Sequence, residues 1–136
     1  MLGVVGVASI TLIIMPIRVD VVEMADTSAL SRYLLHDEIV RFKSMTPVTY
    51  AGMKYYLFLT NYRLILYMRR GLVFKKDDII SERLEDVVKI GFRERGLISR
   101  TGIITVDTKT RKIEISGAAE SMRALYMHLQ ELITRK

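Results

Sequence analysis

Tyr55-Tyr56-Leu57-Phe58-Leu59-Thr60-Asn61-Tyr62-Arg63-Leu64-Ile65-Leu66-Tyr67 is the stretch that decides the fold class. Aromatic and aliphatic residues, which suit a pleated and packed surface, fill two runs. Between them stands Asn61, a residue that tolerates left-handed backbone and therefore a sharp turn. The stretch reads as a tight hairpin. Both faces of each run are largely apolar, so the two strands are expected at the centre of a sheet, covered on both sides.

Downstream of this hairpin the period of two continues. Arg70-Gly71 turns the chain into a short strand over 72–75, and an acidic segment follows over 77–86. Val88, Ile90 and Phe92 then alternate with Lys89, Gly91 and Arg93, so the first three should share a face. Turns are expected at 94–96 and 99–102. Ile104, Val106 and Thr108 line one face of the next strand, and Lys112-Ile113-Glu114-Ile115-Ser116 alternates strictly after a turn at 108–111. Past Gly117 the period changes: Met122, Leu125, Leu129 and Leu132 recur at spacings of three and four, with Ala118, Tyr126 and Ile133 widening the stripe. Upstream, 39–44 reads as a first strand and 46–52 as a loop broken by Pro47 and Gly52. Residues 26–35 read as a short helix that Asp26, Thr27 or Ser28 can cap. The fold class is mainly β: a curved antiparallel sheet or barrel capped by one C-terminal amphipathic helix.

This order of elements resembles that of the bacterial and archaeal pleckstrin-homology (PH) domains. The segment Leu59-Thr60-Asn61-Tyr62-Arg63-Leu64 looks like the turn joining two early strands in that family, and Asp37-Glu38-Ile39 resembles its acidic lead-in to the first strand. Asp78-Ile79-Ile80 and residues 84–90 resemble the short strand and the Val-rich strand that follow. The resemblance covers about residues 35–133. It implies a binding module, similar in fold to eukaryotic lipid-binding domains that place Lys and Arg on their first two strands. Arg41, Lys43 and Lys54 fall in such places. Tyr55 and Tyr56 stand where a further Arg would be expected, so the resemblance implies general anionic or protein binding rather than phosphoinositide specificity.

The charge distribution points the same way. The chain carries 21 Lys and Arg against 15 Asp and Glu, a formal net charge of +6 in 136 residues. Such a surplus favours an anionic partner, nucleic acid or lipid. It is unevenly placed. Residues 39–76 hold Arg41, Lys43, Lys54, Arg63, Arg69, Arg70, Lys75 and Lys76 and not one acid, while 77–86 holds Asp77, Asp78, Glu82, Glu85 and Asp86 against Arg83 alone. Lys43, Lys54, Arg69, Arg70, Lys75 and Lys76 are therefore expected to form an anion- or lipid-binding rim, with Pro47, Val48 and Tyr50 as an apolar tip beside it.

Catalysis finds little support. The chain has no cysteine and two histidines, His36 and His128. His36 stands beside Asp37 and Glu38, but adjacent residues on a strand or turn point apart, which is not a metal-ligand spacing, and His128 reads as a solvated residue of the terminal helix. No Gly-rich phosphate loop, G-x-S-x-G or H-E-x-x-H occurs. The expectation is a non-enzymatic module without cofactor or metal, cytoplasmic or held at the inner face of a membrane, whose partner is an anionic lipid surface or a protein; its oligomeric state is left open. The alternative is a nucleic-acid-binding barrel, because Tyr50, Tyr55, Tyr56, Tyr62 and Tyr67 interleave with basic residues. Against it, tyrosines are also what strands prefer for packing.

Two regions are distinguished along the chain: an apolar extension over 1–25 and a domain over 26–136. Residues 1–17 carry no charged side chain. Three readings compete for the extension: a membrane anchor slightly short of the roughly 20 residues a span needs, an apolar strand packed in the fold or an oligomer, or a mis-assigned start, since Met15 and Met24 could each begin translation.

Overall fold

The computed structural model describes residues 29–71 and 73–134. The chain divides into two compact units, Met1–Asp37 and Glu38–Lys136. In the first, Ala29 and Leu30 are helical and lead into a 3-10 turn, Ser31–Tyr33. The start of the helix expected over 26–35, and all of the extension over 1–25 with its three readings, lie outside the described residues.

The second unit holds eight strands and one helix among the described residues: β1 (Val40–Lys43), β2 (Val48–Tyr50), β3 (Met53–Thr60), β4 (Arg63–Arg70), β5 (Lys76–Arg83), β6 (Val87–Arg95), β7 (Thr101–Thr108), β8 (Lys112–Ala118) and α1 (Ala119–Thr134). All pairings are antiparallel. The order across the sheet is β5-β4-β3-β2-β8-β7-β6, and β1 also pairs with β3. Thus β3 meets two partners along one edge: β1 alongside its second half (Phe42 opposite Leu59) and β2 alongside its first (Val48 opposite Tyr55). β2 continues to β8, with Tyr50 opposite Ile115. The sheet is curved rather than closed. Its outer strands β5 and β6 are joined by the 3-10 turn Leu84–Asp86 rather than by a ladder among the described residues.

The central hairpin is where the sequence places it, and every residue from Tyr55 to Thr60 and from Leu64 to Tyr67 is buried. The motif at its turn has a physical role. The Thr60 hydroxyl oxygen accepts the backbone N–H groups of Tyr62 (3.0 Å) and Arg63 (2.8 Å), closing the turn, and its hydroxyl donates to Glu38 at 2.6 Å. Arg63 grips the same carboxylate with Nε at 2.9 Å and Nη2 at 2.7 Å. Asn61 exchanges hydrogen bonds with the backbone of Ile39, accepting at 2.8 Å and donating at 3.1 Å. The turn is thereby fastened to the start of β1.

Four local expectations are corrected. Residues 46–52 are not all loop: β2 lies within them, because Val48 and Tyr50 alternate inward and Pro47, which lacks an N–H, sits just before the ladder. The turn is only Ala51-Gly52, both at positive φ (52° and 79°), the geometry of a two-residue hairpin. Val48 is consequently core, not tip. The strand expected over 72–75 is instead turn at the described positions 73–75, and the acidic segment beyond forms β5. Lastly, Val88 does not share a face with Ile90 and Phe92. The register shifts between Val87 and Lys89, so a bulge throws Val88 outward and Val87 takes the buried place.

The helix stripe is as read from the sequence except at Ala118, which ends β8 and is exposed; the buried Ala119 opens α1 in its place. Met122, Leu125 and Leu129 are buried against Ile104, Val106, Ile113 and Ile115, with Leu132 and Ile133 packed at the margin. The start of α1 lies so close to β7 that a Cβ on Gly102 would stand 2.7 Å from the Met122 Cβ and 3.1 Å from the Ala119 Cα. Gly102→Val should therefore lower the unfolding free energy by about 1–3 kcal/mol, the usual cost of overpacking, read as a lower urea midpoint at unchanged slope. An unchanged midpoint would show that the helix is not seated against β7.

Candidate functional site

The basic stretch and the acidic segment meet on the β4–β5 hairpin. The ladder sets Arg69 opposite Asp77 and Arg70 opposite Lys76. Successive residues of a strand face opposite ways, so Asp77 and Asp78 serve opposite faces of the sheet. On one face Asp77 Oδ1 accepts Arg69 Nε at 2.8 Å and the Tyr67 hydroxyl at 2.9 Å. On the other, Asp78 Oδ2 accepts Arg70 Nη2 at 2.9 Å and the Tyr55 hydroxyl at 3.2 Å, while the Arg70 guanidinium lies over the Tyr55 ring. The electrostatics follow. Hydrogen bonding to Asp77 holds Arg69 above the usual arginine value. Burial, then the charge of Asp78, pushes the Tyr55 phenol up.

Past Arg70 the chain reverses between β4 and β5. Gly71 has φ +93°, and a Cβ there would strike the Phe74 carbonyl oxygen, so the turn needs glycine. The reversal leaves Val73 81% and Phe74 90% exposed. Beside them Lys54, Lys75 and Lys76 are exposed and carry no ion pair among the described residues. Arg70 Nη2 lies 3.5 Å from the Met53 sulfur, which places the start of β3, and with it Lys54, next to this turn.

Solved structures similar in fold to this chain include the following two. One is a DUF1696 family protein with a pleckstrin-homology domain from Shewanella loihica PV-4, 17% identical, with a TM-score of 0.56 over 83% of this chain and 89% of that one. The other is the hSac2 domain from human phosphoinositide phosphatase Sac2, 11% identical, with a TM-score of 0.57 over 85% of this chain and 82% of that one. The fold is pleckstrin-homology-like. No protein-family model matches the chain, and no curated protein matches it in sequence.

Within the PH-like fold, five of the six residues expected in the rim share one end of the sheet: Lys54, Arg69, Arg70, Lys75 and Lys76. Lys43 stands apart. It pairs with Phe58, four residues along β3 from Lys54, or roughly 13 Å at the usual strand rise. Arg69 and Arg70 belong to internal ion pairs, so the cluster's five cations face two anions and leave a surplus of three. The apolar tip is Val73-Phe74, not Pro47, Val48 and Tyr50. The sequence reading missed this tip and the role of Asp77 and Asp78. A signal was present: Arg69-Arg70 and Asp77-Asp78 flank Val73 at nearly equal distances, as charge-matched arms of a hairpin would. Tyr55, Tyr56 and Tyr67 are buried, and Tyr50 packs against the core, so these rings are not laid out for stacking on bases.

Proposed function

We propose that the PH-like domain is a non-enzymatic interaction module that docks peripherally on an anionic membrane through the β4–β5 turn. One observation carries this reading: two large apolar side chains, Val73 and Phe74, stand exposed at a turn collared by Lys54, Lys75 and Lys76. Each Lys near an anionic bilayer contributes about 1 kcal/mol, and burying a Phe side chain about 1.5–3 kcal/mol. The two contributions need the same geometry, with the tip at the acyl boundary and the cations level with the headgroups. The fold shared with a domain of a phosphoinositide phosphatase, an enzyme named for a membrane lipid, supports the direction. No helix among the described residues is long and apolar enough to cross a membrane, and the proposed contact needs none.

Co-sedimentation with vesicles tests the reading. Partition should require phosphatidylserine, be absent on pure phosphatidylcholine, and fall as salt shortens the Debye length from about 10 Å at 0.1 M to about 3 Å at 1 M. Lys75→Ser with Lys76→Ser should weaken binding by up to about 30-fold, at about 1 kcal/mol for each charge. Phe74→Ser should weaken it further without altering the salt dependence. Binding indifferent to all three substitutions would remove the turn from the site. Retention on single-stranded nucleic acid, with none on vesicles, would transfer the basic rim to that partner.

A further inference from the structure

The turn between β6 and β7, residues 96–100, carries a second apolar tip. Leu97 is 97% and Ile98 99% exposed, more than any other large hydrophobic residue among those described. Arginines surround it. Arg100 and Arg123 share Glu94, with nitrogen–oxygen distances of 2.9 and 2.6 Å; Arg93 reaches Glu114 only at 3.7 Å; Arg95 is exposed without an ion pair among the described residues. Four cations thus face two anions. Glu94 titrates below the usual carboxylate range, chiefly through its hydrogen bonds from Arg123 and Arg100.

The ladder puts this tip at the opposite end of the sheet from Val73-Phe74. Tyr50 of β2 is level with Ile115, Ile104 and Phe92 across three strands. From that level Arg95, and then the 96–100 turn, lie toward the N-terminal end of β2, since Thr49 is level with Ser116, Ile103 and Arg93. The other turn lies beyond the C-terminal end: Tyr50 pairs with Met53, and Met53 touches Arg70, where the β4–β5 turn begins. The two turns thus lie beyond opposite ends of β2 along the ladder, several residues apart at about 3.3 Å each.

We propose that the domain is two-ended, and that the Leu97-Ile98 turn takes a second anionic bilayer, so that one chain bridges two membranes. This rests on the reading given above for the first end. The chemistry of the second end is of the same class: a pair of almost fully exposed aliphatic side chains inside a surplus of arginines. A bilayer interface accommodates a protruding apolar tip and attracts the cations around it.

The test uses the full chain with small vesicles of phosphatidylcholine and phosphatidylserine, reading binding by co-sedimentation and clustering by light scattering. The parent should bind and cluster. Leu97→Ser/Ile98→Ser should bind and lose clustering, and Val73→Ser/Phe74→Ser should do the same through the other end. All four side chains are exposed, so unchanged thermal midpoints are expected for both variants. Binding by the parent without clustering overturns bridging and leaves the first contact standing. Clustering that persists in the Leu97→Ser/Ile98→Ser variant also overturns it, by assigning the cross-link to self-association or another surface. Failure of the parent to bind any anionic vesicle removes the membrane reading itself, and bridging with it.

Discussion

Replacing Arg63 by Ala lowers the stability of the domain by about 3–5 kcal/mol, the cost of removing one member of a buried ion pair. The Glu38 side chain has no solvent exposure and that of Arg63 only 18%. Hydrogen bonding to Glu38 holds the guanidinium above the usual arginine value even though burial acts against it. Without Arg63 a carboxylate is left out of water without its two-pronged donor. The loss should appear as a lower urea midpoint at unchanged slope. Arg63→Lys should recover part of it, because an ammonium keeps the charge and loses the fork. Glu38→Leu with Arg63→Leu should recover most, since an apolar pair needs no desolvation of charge. If the Ala variant unfolds at the parent's midpoint, the pair does not hold the β3–β4 turn to the start of β1.

The second large effect lies in the helix. Leu129 is fully buried among Ile104, Val106, Ile113 and Ile115 and their neighbours. Leu129→Ala should cost about 2–5 kcal/mol, combining lost apolar burial with the cavity left behind. The spread reflects how far α1 can settle into the gap. Met127, on the same helix and 61% exposed, supplies the control: its replacement by Ala should change stability by no more than about 0.5 kcal/mol. Equal midpoints for the two variants would contradict the packing of this helix face on the sheet.

Much of the fold was legible because it is written in local patterns. The alternation through β7 and β8, the three-four stripe of α1 and the apolar hairpin around Asn61 each need only neighbouring residues to be read. The turn motif was legible as a pattern but not as a mechanism. Nothing in Leu59-Thr60-Asn61-Tyr62-Arg63-Leu64 says that Thr60 and Arg63 converge on Glu38, more than twenty residues earlier. The bulge at Val88 was illegible for a similar reason: strict alternation is the default, and the register of β7 overrides it.

For the candidate site the division is sharper. The sequence by itself determined that cations concentrate in 39–76, that acids follow them, and that strands and one helix form a PH-like frame. Only the tertiary structure decided what those charges do. Ladder register sets Asp77 opposite Arg69 and Asp78 diagonal to Arg70, within reach of its guanidinium, taking two arginines out of the surplus. It separates Lys43 from Lys54, and it leaves Val73 and Phe74 in water where a strand had been expected. Charge and hydropathy are properties of single residues and add along the chain. Pairing and exposure depend on which residues the folded backbone makes neighbours, and that is fixed by contacts across the sheet.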